Sequence, residues 1–240
     1  MNQQFLTGLH RPIPGGLLVA VEGIDGAGKT SVSSLLAQWC GERGIACTIS
    51  KEPTGLRWGN ELRQSAREGR LTLQRELELF ELDRRDHVER SINPALGEGN
   101  VVILDRYYWS SAAYQGARGI NHDEIMSANE KFAPIPDIVL VLDVAVAEGL
   151  RRIRARGDTP NSFEGESGLS RARDIFRLLA ASRENARIVD ASGDFRNSYS
   201  EALQHFVHAG LAKIANGVRD LDDRERRLRT FNPSVDGTES

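Results

Sequence analysis

Apolar residues gather in five short runs, at Leu17 to Glu22, Ala46 to Ser50, Val101 to Leu104, Ile138 to Leu142 and Arg187 to Val189. The longer stretches between them place apolar residues at helical spacing, as in Val32, Leu35, Leu36 and Trp39, which predicts strands alternating with amphipathic helices. Val101 to Leu104 and Ile138 to Leu142 are continuous rather than alternating, the pattern of strands covered by helices on both faces. The pattern predicts a doubly wound α/β domain with a central parallel sheet of about five strands, whose functional groups collect at the carboxyl ends of the strands.

The two ends read differently. Residues 1–16 carry Pro12, Pro14 and the Gly15-Gly16 pair, the marks of a flexible leader. The domain is expected to fill residues 17–216. Residues 217–240 pass through alternating charges, Asp220 to Arg229, into a polar stretch with Pro233 and Gly237, and are expected to form a charged, disordered tail.

Composition narrows the function. A chain of 240 residues with 40% hydrophobic residues can bury one sizeable core. The net charge of -3 gives no field for a nucleic acid polymer, so phosphate binding must come from locally placed Arg and Lys, and a small partner is expected. No apolar stretch approaches the ~18 residues that cross a bilayer, which points away from a membrane and toward the cytoplasm. Cys40 and Cys47 lack the paired spacing of a zinc site and read as reduced thiols.

The sharpest local signal is Gly23-Ile24-Asp25-Gly26-Ala27-Gly28-Lys29-Thr30, which fits G-x-x-x-x-G-K-[ST] between an expected strand and an expected helix. Glycines there let backbone N–H groups converge on phosphate oxygens, and the helix adds its positive dipole end. Lys29 is expected on the β- and γ-phosphates of ATP, and the Thr30 hydroxyl on Mg2+. Asp105 and Asp143 each end a buried strand, and spacing alone suits either to the metal.

Asp105-Arg106-Tyr107, followed by Ser110-Ser111-Ala112-Ala113-Tyr114-Gln115-Gly116, closely resembles the thymidylate kinase signature. The resemblance takes in Glu22 to Thr30, Glu52-Pro53, Phe80 with Arg84, Pro136-Asp137 leading into Leu142-Asp143, Gly149-Leu150 and Arg154-Ala155-Arg156-Gly157. It spans roughly residues 17 to 215, nearly all the chain expected to fold. It implies a P-loop nucleoside monophosphate kinase fold with a short lid, Mg2+ as cofactor, ATP and dTMP as substrates, and a homodimer.

The resemblance also implies roles. It selects Asp105 as the acidic partner of Mg2+ and puts Arg106 and Arg63 on the acceptor phosphate, a doubly charged group that needs cations to hold it in line. Phe80 and Arg84 stand four apart on a helical stretch, so they share a face, and in the family this pair reads thymine. Without the motif, Phe80 reads rather as ordinary core beside Leu77 and Leu79. Ser111 and Gln115 are implied at the base edge, Tyr114 against the sugar, and Asp25 near the acceptor's 3′-hydroxyl. The phosphate loop holds no Arg, so Arg156 from the lid is the implied catalytic cation beside Lys29 and Arg106.

Two departures stand out. Thr54-Gly55-Leu56-Arg57 replaces the family's glycine pair and threonine after Pro53, and Ser162 takes a lid position where bacterial members commonly carry Arg. They keep open a kinase of the same fold for another acceptor, while the leader and charged tail, read as docking segments, keep open a nucleotide-binding module without turnover.

Overall fold

The computed structural model describes residues 12–69, 71–157 and 165–230, with side chains of 67 and 218–230 excluded. Five parallel strands form one sheet: β1 (Leu17–Glu22), β2 (Cys47–Lys51), β3 (Val101–Asp105), β4 (Ile138–Asp143) and β5 (Ala186–Asp190), in the order β2-β3-β1-β4-β5. Each lies within about a residue of the apolar run that predicts it. β1 and β3 are buried throughout and β4 in all but its last residue, whereas the edge strands β2 and β5 expose part of their residues. Central position explains the unbroken apolar runs, because helices take up both faces of those strands.

The helices are α1 (Lys29–Gly41), α2 (Arg57–Glu68), α3 (Leu73–His87), α4 (Asn93–Gly97), α5 (Tyr108–Gly116), α6 (His122–Glu130), α7 (Val146–Ala155), α8 (Glu166–Ala181) and α9 (Phe195–Thr230). A π-helical turn, Val88–Ile92, joins α3 to α4. The core runs on both sides of the sheet, with Trp39 of α1 meeting Phe206 of α9 edge to face at 5.8 Å. Val21 pairs with Asp105 and Glu22 with Val141, which brings the carboxyl ends of the three central strands to one rim.

Two expectations about the ends change. Ile13 is buried and donates its N–H to the Gly99 carbonyl at 2.9 Å, so the chain is anchored before Gly16. A lone apolar residue between two prolines gives no periodicity to read. At the other end, α9 continues past 216 to Thr230. Asp220, Asp222, Asp223 and Glu225 each stand four residues before an Arg, and that spacing supports a helix as well as it suggests disorder. Residues 1–11 and 231–240 lie outside the described residues, as do the lid positions 158–164 with Ser162. Cys40 and Cys47 are free thiols.

Candidate active site

The phosphate loop leaves β1 and enters α1 with two glycines that nothing larger could replace. A Cβ on Gly23 (φ 133°) would collide with the Leu142 carbonyl, and one on Gly26 (φ 81°) with the Gly149 carbonyl of α7. The loop therefore rests directly on the backbone of β4 and α7. Gly28 precedes α1 in the left-handed region with no side-chain cap, which leaves the positive end of the helix directed into the loop.

Lys29 is buried, with Nζ donating to the Ile24 carbonyl at 2.8 Å and standing 4.0 Å from Asp25. Burial, reinforced by Arg106, lowers its pKa to about 7 in the absence of phosphate. Thr30 donates its hydroxyl to Asp105 Oδ2 at 2.5 Å, and Lys51 Nζ approaches the same oxygen at 3.3 Å. Asp105 Oδ1 is buried without a hydrogen-bond partner among the described residues. An orphaned carboxylate oxygen beside a hydroxyl is a hard-oxygen set that fits Mg2+, which takes one carboxylate and substrate phosphates rather than an all-protein cage. Asp143 is committed elsewhere, gripped by Arg173 of α8 at 2.6 and 2.9 Å.

The seven residues expected on the acceptor, Arg63, Phe80, Arg84, Arg106, Ser111, Tyr114 and Gln115, line one pocket of about 230 Å³ together with Asp25. Arg106 follows β3 with φ 76° and points across the loop mouth, where it pairs with Asp25 and donates to Ser110 Oγ at 3.2 Å. Burial alone would lower its pKa, but Asp25 and the surrounding oxygens outweigh that and keep it charged. Tyr114 donates to Asp25 Oδ2 at 3.0 Å. Arg63 donates to the Pro53 carbonyl at 2.9 Å and to the Thr54 carbonyl, so it is tethered to the altered loop at the pocket wall.

That altered loop is firmly held. The Thr54 N–H and hydroxyl donate to the two oxygens of Asp83 at 2.7 and 2.6 Å. Threonine at 54 thus anchors the Pro53 turn to α3.

Arg84 is the most completely enclosed of the pocket cations. Its Nε donates to Glu52 at 2.8 Å, Nη1 to Asn129 at 2.6 Å and Nη2 to Ser111 at 3.1 Å, with Tyr107 beneath it. Gln115 donates to Glu76 at 2.8 Å, and its carbonyl oxygen is a buried acceptor with no partner among the described residues. Glu52, Glu76 and Asn129 carry this arrangement and were given no role by the sequence. Buried acids within helical stretches were the available signal for Glu76 and Asp83, whereas nothing local marks Asn129.

Arg156 is the C-cap residue of α7, the helix whose Gly149 supports Gly26, and stands where the chain enters 158–164. It does not line the pocket. Arg151 and Arg152 both donate to Glu148 on the same helix.

Glu22 is buried at the end of β1, and desolvation pushes its pKa from 4.5 up to about 7 despite help from Ser110 and Arg106. An acid raised on folding favours its neutral form, so this contribution to stability is complete below pH ~4.5 and lost as pH rises through ~7. The span corresponds to about 3 kcal/mol. Urea midpoints at pH 5 and pH 8 check this: Glu22→Gln is expected to gain on the wild type as pH rises, and a constant difference would contradict it.

A phosphate loop, an orphaned carboxylate oxygen at the strand rim and a cationic pocket facing both define a P-loop phosphotransferase. The family profile described as Thymidylate kinase matches residues 21–201. Curated thymidylate kinases from Xanthomonas campestris pv. campestris (strain B100) and Xanthomonas euvesicatoria pv. vesicatoria (strain 85-10) are 52% and 51% identical over 219 residues, the first covering 91% of this chain and 95% of the relative. That of Xylella fastidiosa (strain M12) is 50% identical over 191 residues, 80% of this chain and 87% of the relative. The chain belongs to the thymidylate kinase family. These matches lend no support to the rival acceptor or to a module without turnover. Among the described residues no helix is long and apolar enough to cross a membrane.

Proposed function

We propose that the protein transfers the γ-phosphate of ATP to dTMP, giving ADP and dTDP by direct in-line displacement. The observation that carries the reading is the single pocket joining Asp25 and Arg106 at the loop mouth to Phe80 and Arg84 at its far wall. A nucleoside monophosphate laid along it puts its phosphate beside the loop and its base on Phe80. Arg106 and Arg63 hold the acceptor phosphate, Arg84, Ser111 and Gln115 face the base edge, and Tyr114 with Asp25 faces the sugar. Lys29 neutralises the donor phosphates, and Arg156 arrives from the lid side to meet charge developing on the equatorial oxygens.

Thr30 and Asp105 would hold Mg2+, which would offset the negative charge of the donor phosphates. Catalysis then rests on positioning and on preorganised positive charge. The family resemblance supports a cytoplasmic homodimer.

Titrating Mg2+ at fixed ATP and dTMP tests the metal roles. Asp105→Asn is expected to raise the half-saturating Mg2+ concentration at least ~10-fold, the loss of one charged ligand. An unchanged half-saturation would take Asp105 out of the metal site.

A further inference from the structure

Glu22 has no place in the phosphotransfer described above, yet it is fully buried at the end of β1 and its carboxylate spans to the segment after β3. Oε1 accepts the N–H of Tyr107 at 2.7 Å and that of Ser110 at 3.3 Å, and Oε2 accepts the Ser110 hydroxyl at 2.6 Å. These donors open α5, whose own N-cap residue, Tyr107, supplies no side-chain bond, so Glu22 caps the helix from another element.

Arg106 lies between these anchors. Its N–H donates to the Val21 carbonyl at 3.1 Å, and the next N–H in the chain, that of Tyr107, goes to Glu22. Two neighbours on β1 thus pin both sides of a residue whose φ of 76° L-residues seldom adopt. The side chain is fixed as well. Because the Ser110 proton points at Glu22, only lone pairs remain on Ser110 Oγ to meet Arg106 Nη1 at 3.2 Å.

We propose that Glu22 is a positioning residue for the acceptor phosphate: it fixes the backbone kink at Arg106 and makes the Ser110 hydroxyl an acceptor for the Arg106 guanidinium. The inference rests on the reading that Arg106 holds that phosphate. Burial opposes the ionised carboxylate, so its charge is a cost to the fold and its benefit falls on the cation it aims.

In Glu22→Gln the amide matches the side chain in shape, but its N–H2 donates to Ser110 Oγ and turns the hydroxyl proton toward Arg106. Calorimetric titration of wild type, Glu22→Gln, Ser110→Ala and Arg106→Ala with dTMP and, separately, with Mg-ATP reads the effect. Glu22→Gln is expected to weaken dTMP about 10-fold and leave ATP within about 2-fold, with no loss in urea midpoint, a split that general damage would not produce. Ser110→Ala is expected to weaken dTMP by a smaller factor, and the double variant to bind no worse than Glu22→Gln, since both act through one contact. Equal losses for both ligands, or unchanged dTMP binding in Glu22→Gln, would overturn the inference; if Glu22→Gln misfolds, unchanged dTMP binding in Ser110→Ala does so. Arg106→Ala separates the two layers. Weakened dTMP there with no effect in Glu22→Gln refutes the role of Glu22 alone, whereas unchanged dTMP there refutes the reading of Arg106 and the inference with it.

Discussion

Lys29→Ala is expected to reduce turnover at least ~1000-fold, about 4 kcal/mol of transition-state stabilisation, while the protein stays folded. The ammonium is buried, held by the Ile24 carbonyl at 2.8 Å within the loop proposed to take the triphosphate. Burial and Arg106 hold its pKa down to about 7, so without nucleotide the charge is under strain. Phosphate oxygens reverse that balance, because an opposite charge nearby favours the charged form. Removing the amine therefore relieves the free protein of a poorly solvated cation and deprives only the reacting complex. The coupled assay for ADP release, run beside a urea titration, checks both halves. Activity within tenfold of wild type would remove Lys29 from the site, and a collapsed midpoint would make it structural.

Arg84→Met carries the other large effect, and here stability and recognition fall together. The guanidinium is buried among Glu52, Asn129 and Ser111, so its loss leaves the Glu52 carboxylate in the core with His87, at 3.0 Å, as its remaining side-chain partner among the described residues. Breaking one side of a buried ion pair costs about 3–5 kcal/mol, most of it the stranded partner. The double variant Glu52→Gln with Arg84→Met removes that charge and is expected to recover at least half of the lost stability by urea titration, on the order of 2 kcal/mol. Thymine selectivity is expected to stay lost in both. Recovery of selectivity in the double variant would show that Arg84 supports the pocket wall without reading the base.

Much of this was legible in the sequence, for physical reasons that vary from place to place. The strands were clear because central parallel strands must be apolar on both faces, and the phosphate loop because its chemistry demands glycines and a lysine at fixed spacing. Ile13 was missed since one buried residue between prolines has no period. The charged run in α9 carries two opposite signals, and its four-residue spacing prevails. In the pocket, the motif residues announce themselves whereas their supports do not. Glu52 and Asn129 meet Arg84 across separations of 32 and 45 residues, which no local pattern encodes. Glu22 left one trace, an acid closing an otherwise apolar strand.

The central claim is that the pocket between the phosphate loop and Phe80 takes a thymine deoxynucleotide. The most direct measurement is ADP release with ATP and Mg2+ against dTMP, dUMP, dCMP, dGMP, dAMP, UMP and CMP in turn. The expected result is strong turnover with dTMP, weaker turnover with dUMP and little with the others, since the proposed pose sets Arg84 and Gln115, which line the pocket, at a pyrimidine edge and Tyr114 against the 2′ position. Preferred turnover of a purine, of a cytosine nucleotide or of UMP over dUMP would contradict it.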